Sequence, residues 1–311
     1  MQKVAVTGCA SRFAQVLLPL LDADASIESI IGIDVVPAVG TYNKLEFHKK
    51  DVRDASLKEI FTGCDTVVHL AFIVLRPYSL SLQETASINL AGTWNTCRAA
   101  AEAGVRKLVV SSSIAAYGGL PDNSNPLVEE SPLRGLFTDF YYSQHKHANE
   151  IWLDGLQLAF PKLIITRLRP CIVMGPHQSG AASMIHPNHT HFTSKSLSGE
   201  QQLVHEDDLA AAFYATIQHD LPGAYNVVGD GPDTTAHMAA AAGLQVIEIP
   251  DEMIMQSITS DWKEGRSNVG PDWVGGEGVI ICSNEKLKAT GFWTPRFTST
   301  EAFITTVAVL G

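Results

Sequence analysis

Short apolar runs alternate with stretches of helical period through the first half of the chain. They are Val4-Ala5-Val6 followed by Phe13 to Leu21, then Ile30 to Ile33, Thr66-Val67-Val68, Ile88 to Ala103, Lys107 to Val110, Ala148 to Leu158 and Leu163 to Thr166. A strand with one face in water alternates polar and apolar residues. These runs are apolar throughout, as strands covered by helices on both faces must be. The rhythm predicts βαβ units and a doubly wound parallel α/β sheet, forming a first domain over residues 1–170. Beyond it, Gly175-Pro176-His177 and the span from Ser179 to Ser198 are rich in Pro, Gly, His and Ser, and the periodic pieces shorten. Residues 171–311 are therefore expected to form mainly a smaller substrate-binding region, with some segments returning to the first domain.

Composition narrows the partners. Of 311 residues, 45% are hydrophobic, enough for a sizeable buried core. Lys and Arg total 22 against 33 Asp and Glu, a formal net charge of -11. That sign is wrong for tracking a phosphate backbone, so a small-molecule substrate is expected and a nucleic-acid partner is not. Cys9, Cys64, Cys97, Cys171 and Cys282 stand singly, with no Cys-x-x-Cys spacing, as reduced thiols of a cytoplasmic protein do. The first residues read as a strand entering a turn instead of a signal peptide, and no apolar run is long enough for a membrane span.

The first strand leads directly into Thr7-Gly8-Cys9-Ala10-Ser11-Arg12-Phe13-Ala14, the spacing of a glycine-rich turn that opens a helix. Backbone N–H groups at such a helix start suit a pyrophosphate. Two of three expected glycines are replaced by Ser11 and Ala14, both small enough for close backbone approach. Asp34 ends the second strand some 20 residues later, where a carboxylate holds ribose hydroxyls and repels a 2′-phosphate. The expected cofactor is NAD, on a Rossmann-type sheet. Arg12 stands where a phosphate-binding arginine would also sit, which keeps NADP in view.

Tyr142-Ser143-Gln144-His145-Lys146 places a phenol and an ammonium four residues apart, on one face if the stretch to Leu158 is helical. A tyrosine with an ordinary pKa near 10 is a poor base at neutral pH, and a fixed cation nearby lowers that value by favouring the phenolate. The run Leu108 to Ser111-Ser112-Ser113 puts hydroxyls at the carboxyl edge of a parallel sheet, where such sheets bind their ligands.

Together these residues resemble the extended short-chain dehydrogenase/reductase family, the group of NAD-dependent epimerases and dehydratases, over nearly the whole chain. The likeness is carried by Thr7-Gly8 through Ala14, Asp34, Asp51-Val52, His69-Leu70-Ala71, Asn89, Ser111 through Tyr117-Gly118, Tyr142 with Lys146, Leu168-Arg169-Pro170 through Gly175-Pro176, Val204 through Asp208, and Ser283 through Pro295. The resemblance implies that Tyr142 is the general acid/base, that Lys146 lowers its pKa and binds ribose, and that Ser113 polarises the substrate oxygen. It implies cofactor contacts from Gly8, Ser11, Arg12, Phe13, Asp34, Leu70, Ala71, Asn89, Ser111 and Pro170, with Asp51 and Val52 on the adenine side. It also implies a homodimer joined through two helices per subunit, roughly residues 83–103 and 140–158, whose apolar positions could equally be satisfied within the monomer.

Departures from the family pattern bear on the substrate. Where nucleotide-sugar enzymes of the family carry an Asn after Leu-Arg, this chain has Ile172, and the arginine that contacts the nucleotide diphosphate is Gln201. Losing a charge-assisted phosphate contact costs about 1.5–3 kcal/mol unless another cation, such as Arg134 or Arg266, replaces it. Ile114-Ala115 stands where family dehydratases carry Asp-Glu, which argues against dehydration. Phe72-Ile73-Val74-Leu75 forms an apolar wall that either faces a less polar substrate or packs the interior. His177 after the Gly-Pro turn is a further substrate candidate beside Phe72, Ser113, Ile172 and Gln201. The stretch Asp261 to Gly278, with Trp262 and Trp273, is either a lid or a surface loop anchored by two tryptophans. His186, His189 and His191 match no zinc spacing, and no metal is expected.

The reading is an NAD-dependent oxidoreductase that oxidises a secondary alcohol, or reduces the ketone, on a sugar, sugar acid or other small hydroxy compound. The alternatives are a nucleotide-sugar epimerase with transient oxidation by bound NAD, and an NAD-binding sensor or scaffold without chemistry.

Overall fold

The computed structural model describes residues 1–178, 189–274 and 278–310. The main sheet takes β1 (Gln2–Thr7), β2 (Ile27–Asp34), β3 (Leu45–Lys49), β4 (Thr66–His69), β5 (Lys107–Ser111) and β6 (Ile164–Pro170). Short strands follow at β7 (Ile172–Met174), β8 (Thr190–Thr193), β9 (Glu200–Gln201) and β10 (Leu203–His205). The chain then returns to the main sheet at β11 (Gly223–Val227), before β12 (Asp233–Thr234) and β13 (Gln245–Glu248). Among the described residues the main sheet has seven strands in the order β11-β6-β5-β4-β1-β2-β3, every pair parallel. The fold class expected from the apolar rhythm is the one found. Strand order reverses at β1, so the ligand crevice of such a sheet opens at the carboxyl ends of β1 and β4.

Two helical layers account for strands that are apolar on both faces. Val4 and Val6 of β1 pack with Leu17, Leu18 and Leu21 of α1 (Ala14–Ala23) and Phe213 of α6 (Glu206–Gln218), while Ala5 joins the opposite core. That second core is closed by Leu57 and Phe61 of α2 (Leu57–Phe61), Cys97 and Ala100 of α4 (Thr93–Ala103), and Leu153 and Leu156 of α5 (Tyr141–Ala159). The stretch expected as one helix from Ile88 to Ala103 is divided. A π-turn at Ser87–Gly92 links α3 (Leu82–Ala86) to α4, and it brings Gly92 so near Val52 that an added Cβ would lie 2.5 Å from Val52 Cγ2.

The region after β6 builds its own small core from Met174, Leu203, Met238, Phe303 and Val307, served by α7 (Thr235–Ala241) and the C-terminal helix Ser299–Leu310. It is joined to the sheet through α6 and β11. Lys107, fully buried at the start of β5, donates to the carbonyls of Thr216 (2.9 Å), Ile217 (2.9 Å) and His219 (2.7 Å). Its ammonium thereby serves the acceptors left open at the end of α6 and opposes the negative end of that helix.

A second buried charge positions α5. Glu150 accepts from Arg169 Nε (2.9 Å) and Nη2 (3.0 Å), from Arg167 Nη1 (3.0 Å) and from Ser112 Oγ (2.6 Å). Arg169 also donates to Tyr117 Oη (2.8 Å), whose hydroxyl donates to Asn226 on β11 (2.9 Å). Burial alone would raise the Glu150 pKa, but the hydrogen bonds and charge of Arg169, with Arg167 and Ser112, reverse this and hold it at about 2. Since that is below the ordinary value of 4.5, the stabilisation is complete above pH 4.5 and is lost as pH falls through about 2. Glu150→Gln should cost about 3–5 kcal/mol in urea unfolding at neutral pH, because it leaves a buried guanidinium without its counter-charge. It should also flatten the acid limb of the stability profile.

Candidate active site

The nucleotide end is built where β1 and β4 run out. Gly8 has φ +75°, and a Cβ there would lie 2.6 Å from Ala71 N and 2.9 Å from the carbonyl carbon of Leu70, so glycine alone permits the two turns to cross. His69 bridges the same strand ends, with Nδ1 2.7 Å from Thr7 Oγ1 and Nε2 2.9 Å from Thr93 Oγ1, and burial pushes its pKa down to about 3. It is a neutral brace. Ala10 N donates to Asp34 (3.0 Å), which holds that carboxylate at the mouth of the turn. Ser11 Oγ accepts from Ala14 N (3.2 Å), leaving the amides of Arg12 and Phe13 without a protein acceptor among the described residues. Two free donors at a helix start beside a carboxylate fit the diphosphate and ribose of a dinucleotide. The Phe13 ring turns inward against Phe213 (5.1 Å between centroids), so this residue offers its backbone alone.

The Asp51 carboxylate, expected on the adenine side, is clasped by Arg53, with Nη2 at 2.7 Å, and this pairing holds its pKa below the ordinary range. Val52 is buried under Gly92. Asn89, expected among the cofactor contacts, is engaged by neighbouring backbone. Its side chain accepts from Ile73 N (2.7 Å) and donates to Ile73 O (3.0 Å), so it braces the Phe72–Leu75 wall.

The chemical end rests on α5 and the end of β5. Tyr142 and Lys146 lie one helical turn apart at the start of α5; the neighbouring Tyr141 is engaged, donating to Val74 O (3.0 Å). Lys146 Nζ donates to Ser111 O (2.8 Å) and sits 3.6 Å from the centroid of the Phe72 ring. Burial pushes the Lys146 pKa down to about 7, an effect the charge of Glu150 partly opposes. Of the three serines, Ser112 is committed to Glu150, while Ser113 donates to Pro170 O over a long 3.3 Å and accepts from Ala115 N (3.1 Å). Pro170 thus enters the site through its carbonyl.

An aromatic cluster covers Tyr142. Phe72 (5.7 Å), Phe140 (5.9 Å) and Trp273 (5.1 Å) surround its ring, and Trp273 also meets Phe140 at 4.9 Å. The segment bearing Trp273 is tied to the wall. Asp272 pairs with Arg76 (3.3 Å), and Trp262 of α8 (Asp251–Lys263) donates to Arg76 O (2.7 Å) beneath the Arg76 guanidinium. One of the two tryptophans in Asp261–Gly278 therefore packs on Tyr142 itself.

The remaining substrate candidates are spread more widely. Ile172 is half-buried against the C-terminal core, its strand paired with β10. Gln201 lies in β9 opposite Asp233. His177 pairs with buried Glu206 (2.7 Å), and its carbonyl accepts from Arg12 (3.4 Å), which links it to the glycine turn. Arg134 is paired with Asp122 and Asn123, and Arg266 with Asp261 and Glu264. His186 lies outside the described residues. Among the described residues no three His, Cys, Asp or Glu side chains are grouped to hold a metal.

Sequence reasoning missed the Glu150 network and the covering role of Phe140. Glu150 stands four residues after Lys146, a spacing that places both on one face and was the available signal.

A doubly wound sheet with a glycine turn, an acid at the end of β2 and a Tyr-x-x-x-Lys helix defines a dinucleotide-dependent oxidoreductase fold. A sequence model of the NAD dependent epimerase/dehydratase family matches residues 4–228, and the chain belongs to that family. It is 27% identical over 271 residues to a UDP-glucose 4-epimerase of Mycolicibacterium smegmatis, covering 79% of this chain and 83% of that protein. In fold it is similar to a UDP-N-acetylglucosamine 4-epimerase from Methanobrevibacter ruminantium, solved with UDP-N-acetylmuramic acid (TM-score 0.80, 19% identity, 99% and 97% of the two chains). It is similarly close to a UDP-glucuronic acid 4-epimerase from Bacillus cereus, solved with UDP-glucuronic acid and NAD (TM-score 0.79, 16% identity, 99% and 98%).

Gly8→Ala should weaken NAD binding by more than about tenfold in a calorimetric titration, through left-handed strain and collision with the Ala71 backbone. Gly63→Ala is the control. It is also left-handed, at φ +83°, but a Cβ there meets nothing within 4 Å, so NAD affinity should be kept.

Proposed function

We propose that the chain is an NAD-dependent oxidoreductase acting at the secondary alcohol carbon of a small hydroxy compound. The observation that carries this reading is the buried Lys146 ammonium, one turn from Tyr142 and fixed to Ser111 at the carboxyl edge of the sheet. NAD supplies the chemistry of hydride uptake and return when bound. Gly8, Ser11, Arg12, Phe13, Asp34, Asp51, Val52, Leu70 and Ala71 would hold it, and the carboxylate of Asp34 disfavours a 2′-phosphate. Tyr142 takes the hydroxyl proton as the alcohol is oxidised and returns it in reduction. Lys146, when charged, favours the phenolate and orients the ribose, while the Ser113 hydroxyl steadies the reacting oxygen.

A second reading is a nucleotide-sugar 4-epimerase, favoured by the Mycolicibacterium smegmatis relative. The same three residues would serve it, the oxidised intermediate being re-reduced on its other face. A non-catalytic NAD sensor fits less well, since binding alone requires no serine–tyrosine–lysine arrangement.

The helices α4 and α5 carry exposed Trp94, Trp152 and Ile151, and the two indoles pack at 5.6 Å. We read this face as the joint of a homodimer. The five buried, unpaired cysteines support a reducing, cytoplasmic setting, and among the described residues no helix is long and apolar enough to cross a membrane.

Tyr142→Phe should lower kcat by about 10²–10⁴-fold in an NADH absorbance assay while NAD affinity stays within a factor of about two. Unchanged turnover would remove Tyr142 from the mechanism. Trp94→Glu with Trp152→Glu should convert a dimer to a monomer in light scattering; an unaltered mass would place the joint elsewhere.

A further inference from the structure

We propose that residues 175–178 clamp the cofactor turn: Glu206 fixes His177, and the His177 carbonyl holds the Arg12 guanidinium for the diphosphate of NAD. The clamp rests on the NAD-dependent reading above and adds to it the residues that position a phosphate contact.

It begins with a carboxylate that has almost no access to water. Glu206 is 1% exposed and opens α6, where the positive end of the helix favours its charge. Its hydrogen-bond donors all come from one short stretch of chain. The two oxygens accept from His177 N (3.3 and 3.2 Å), His177 Nδ1 (2.7 Å) and Gln178 Nε2 (2.9 Å). A carboxylate only accepts, so this arrangement puts an imidazole proton on Nδ1. An approach this close requires glycine at position 175, where φ is +142° and a Cβ would lie 2.4 Å from Glu206 Cδ. Main chain and side chain of His177 are thus both pinned to α6.

The pinned residue turns its carbonyl to the glycine turn. Arg12 Nη1 donates to His177 O over a long 3.4 Å, joining segments 165 residues apart. Arg12 is exposed and pairs with no acid among the described residues. A guanidinium carries five N–H groups, so four remain for phosphate oxygens. The amides of Arg12 and Phe13 are open at the same helix start, so main chain and side chain there both offer donors to an anion. The ribose-side acid is held by other groups, since Asp34 accepts from Ala10 N (3.0 Å) and Val35 N (2.7 Å). Arg12 is therefore tied to the second region of the chain, and the buried acid that ties it lies in α6.

Calorimetry on the purified protein, with NAD, ADP and adenosine as probes, tests the clamp without turnover. Adenosine lacks the diphosphate and reports the Asp34 side alone. Arg12→Gln should weaken ADP and NAD by about tenfold and adenosine by less than about twofold. Glu206→Gln keeps the shape but sets an amide NH2 against converging donors, and His177→Ala removes the Nδ1 donor. Each should weaken ADP by about three- to tenfold and again spare adenosine. In the double variant Arg12→Gln with Glu206→Gln, ADP affinity should fall no further than in Arg12→Gln alone, because Glu206 acts through Arg12. Additive losses, equal losses for ADP and adenosine, or unchanged ADP affinity in Arg12→Gln would overturn the clamp. If Glu206→Gln loses cooperative thermal unfolding, His177→Ala, at a half-exposed position, takes its place in the cycle. A parent protein that binds neither NAD nor ADP overturns the cofactor reading as well, whereas binding that ignores the variants overturns the clamp alone.

Discussion

A carboxylate taken out of water holds the site together. Glu150 has essentially no exposed surface, and an isolated buried charge of this kind costs several kcal/mol. It is tolerated because Arg169 meets it with two nitrogens while Arg167 and Ser112 fill its remaining acceptor positions. These partners come from β6 and from the residue following β5, so the ion pair sets both the height and the rotation of α5 against the sheet. Lys146 lies one turn earlier, within 2.8 Å of Ser111 O, and Tyr142 one turn earlier again. The Tyr142–Lys146 spacing is a property of the helix, but its position over the sheet edge belongs to the salt bridge.

The nucleotide end depends on shape more than on charge. Gly8 lets the turn after β1 pass against the turn after β4, and His69 ties the same two strand ends from beneath. Replacing two glycines of the usual turn with Ser11 and Ala14 is tolerated because Ser11 Oγ takes the Ala14 amide, starting the helix while the amides of Arg12 and Phe13 have no protein acceptor among the described residues. Asp34 is held to the turn through Ala10 N, so the acid and the free amides form one rigid rim.

What could be read from the chain alone was what is local. The buried strands announced themselves because both faces are covered, and Tyr142, Lys146 and Ser113 stood out as candidates because their spacing within a helix or strand end would suit proton transfer. The edge strand β3 gave little signal: Leu45-Glu46-Phe47-His48-Lys49 alternates and is only partly buried. The return of β11 to the sheet beside β6 is a pairing that local periodicity does not encode. Asn89 stands in a recognisable segment, yet its amide is turned to the Ile73 backbone because the apolar wall leaves that backbone in need of partners. Trp273 comes from a stretch that reads as lid or loop alike, and its packing on Phe140 and Tyr142 is a tertiary contact that local sequence does not encode.

The apolar wall and the lysine are two expressions of one environment. Sequence spacing suggests a Lys146–Glu150 pair along the helix, but Glu150 is already given to Arg169, Arg167 and Ser112, so its help to the ammonium is at a distance. Phe72 covers the other side, and burial therefore prevails, taking the Lys146 pKa down to about 7. The ammonium is charged below that pH and neutral above it, so its pull on the Tyr142 phenol fades as pH rises through about 7.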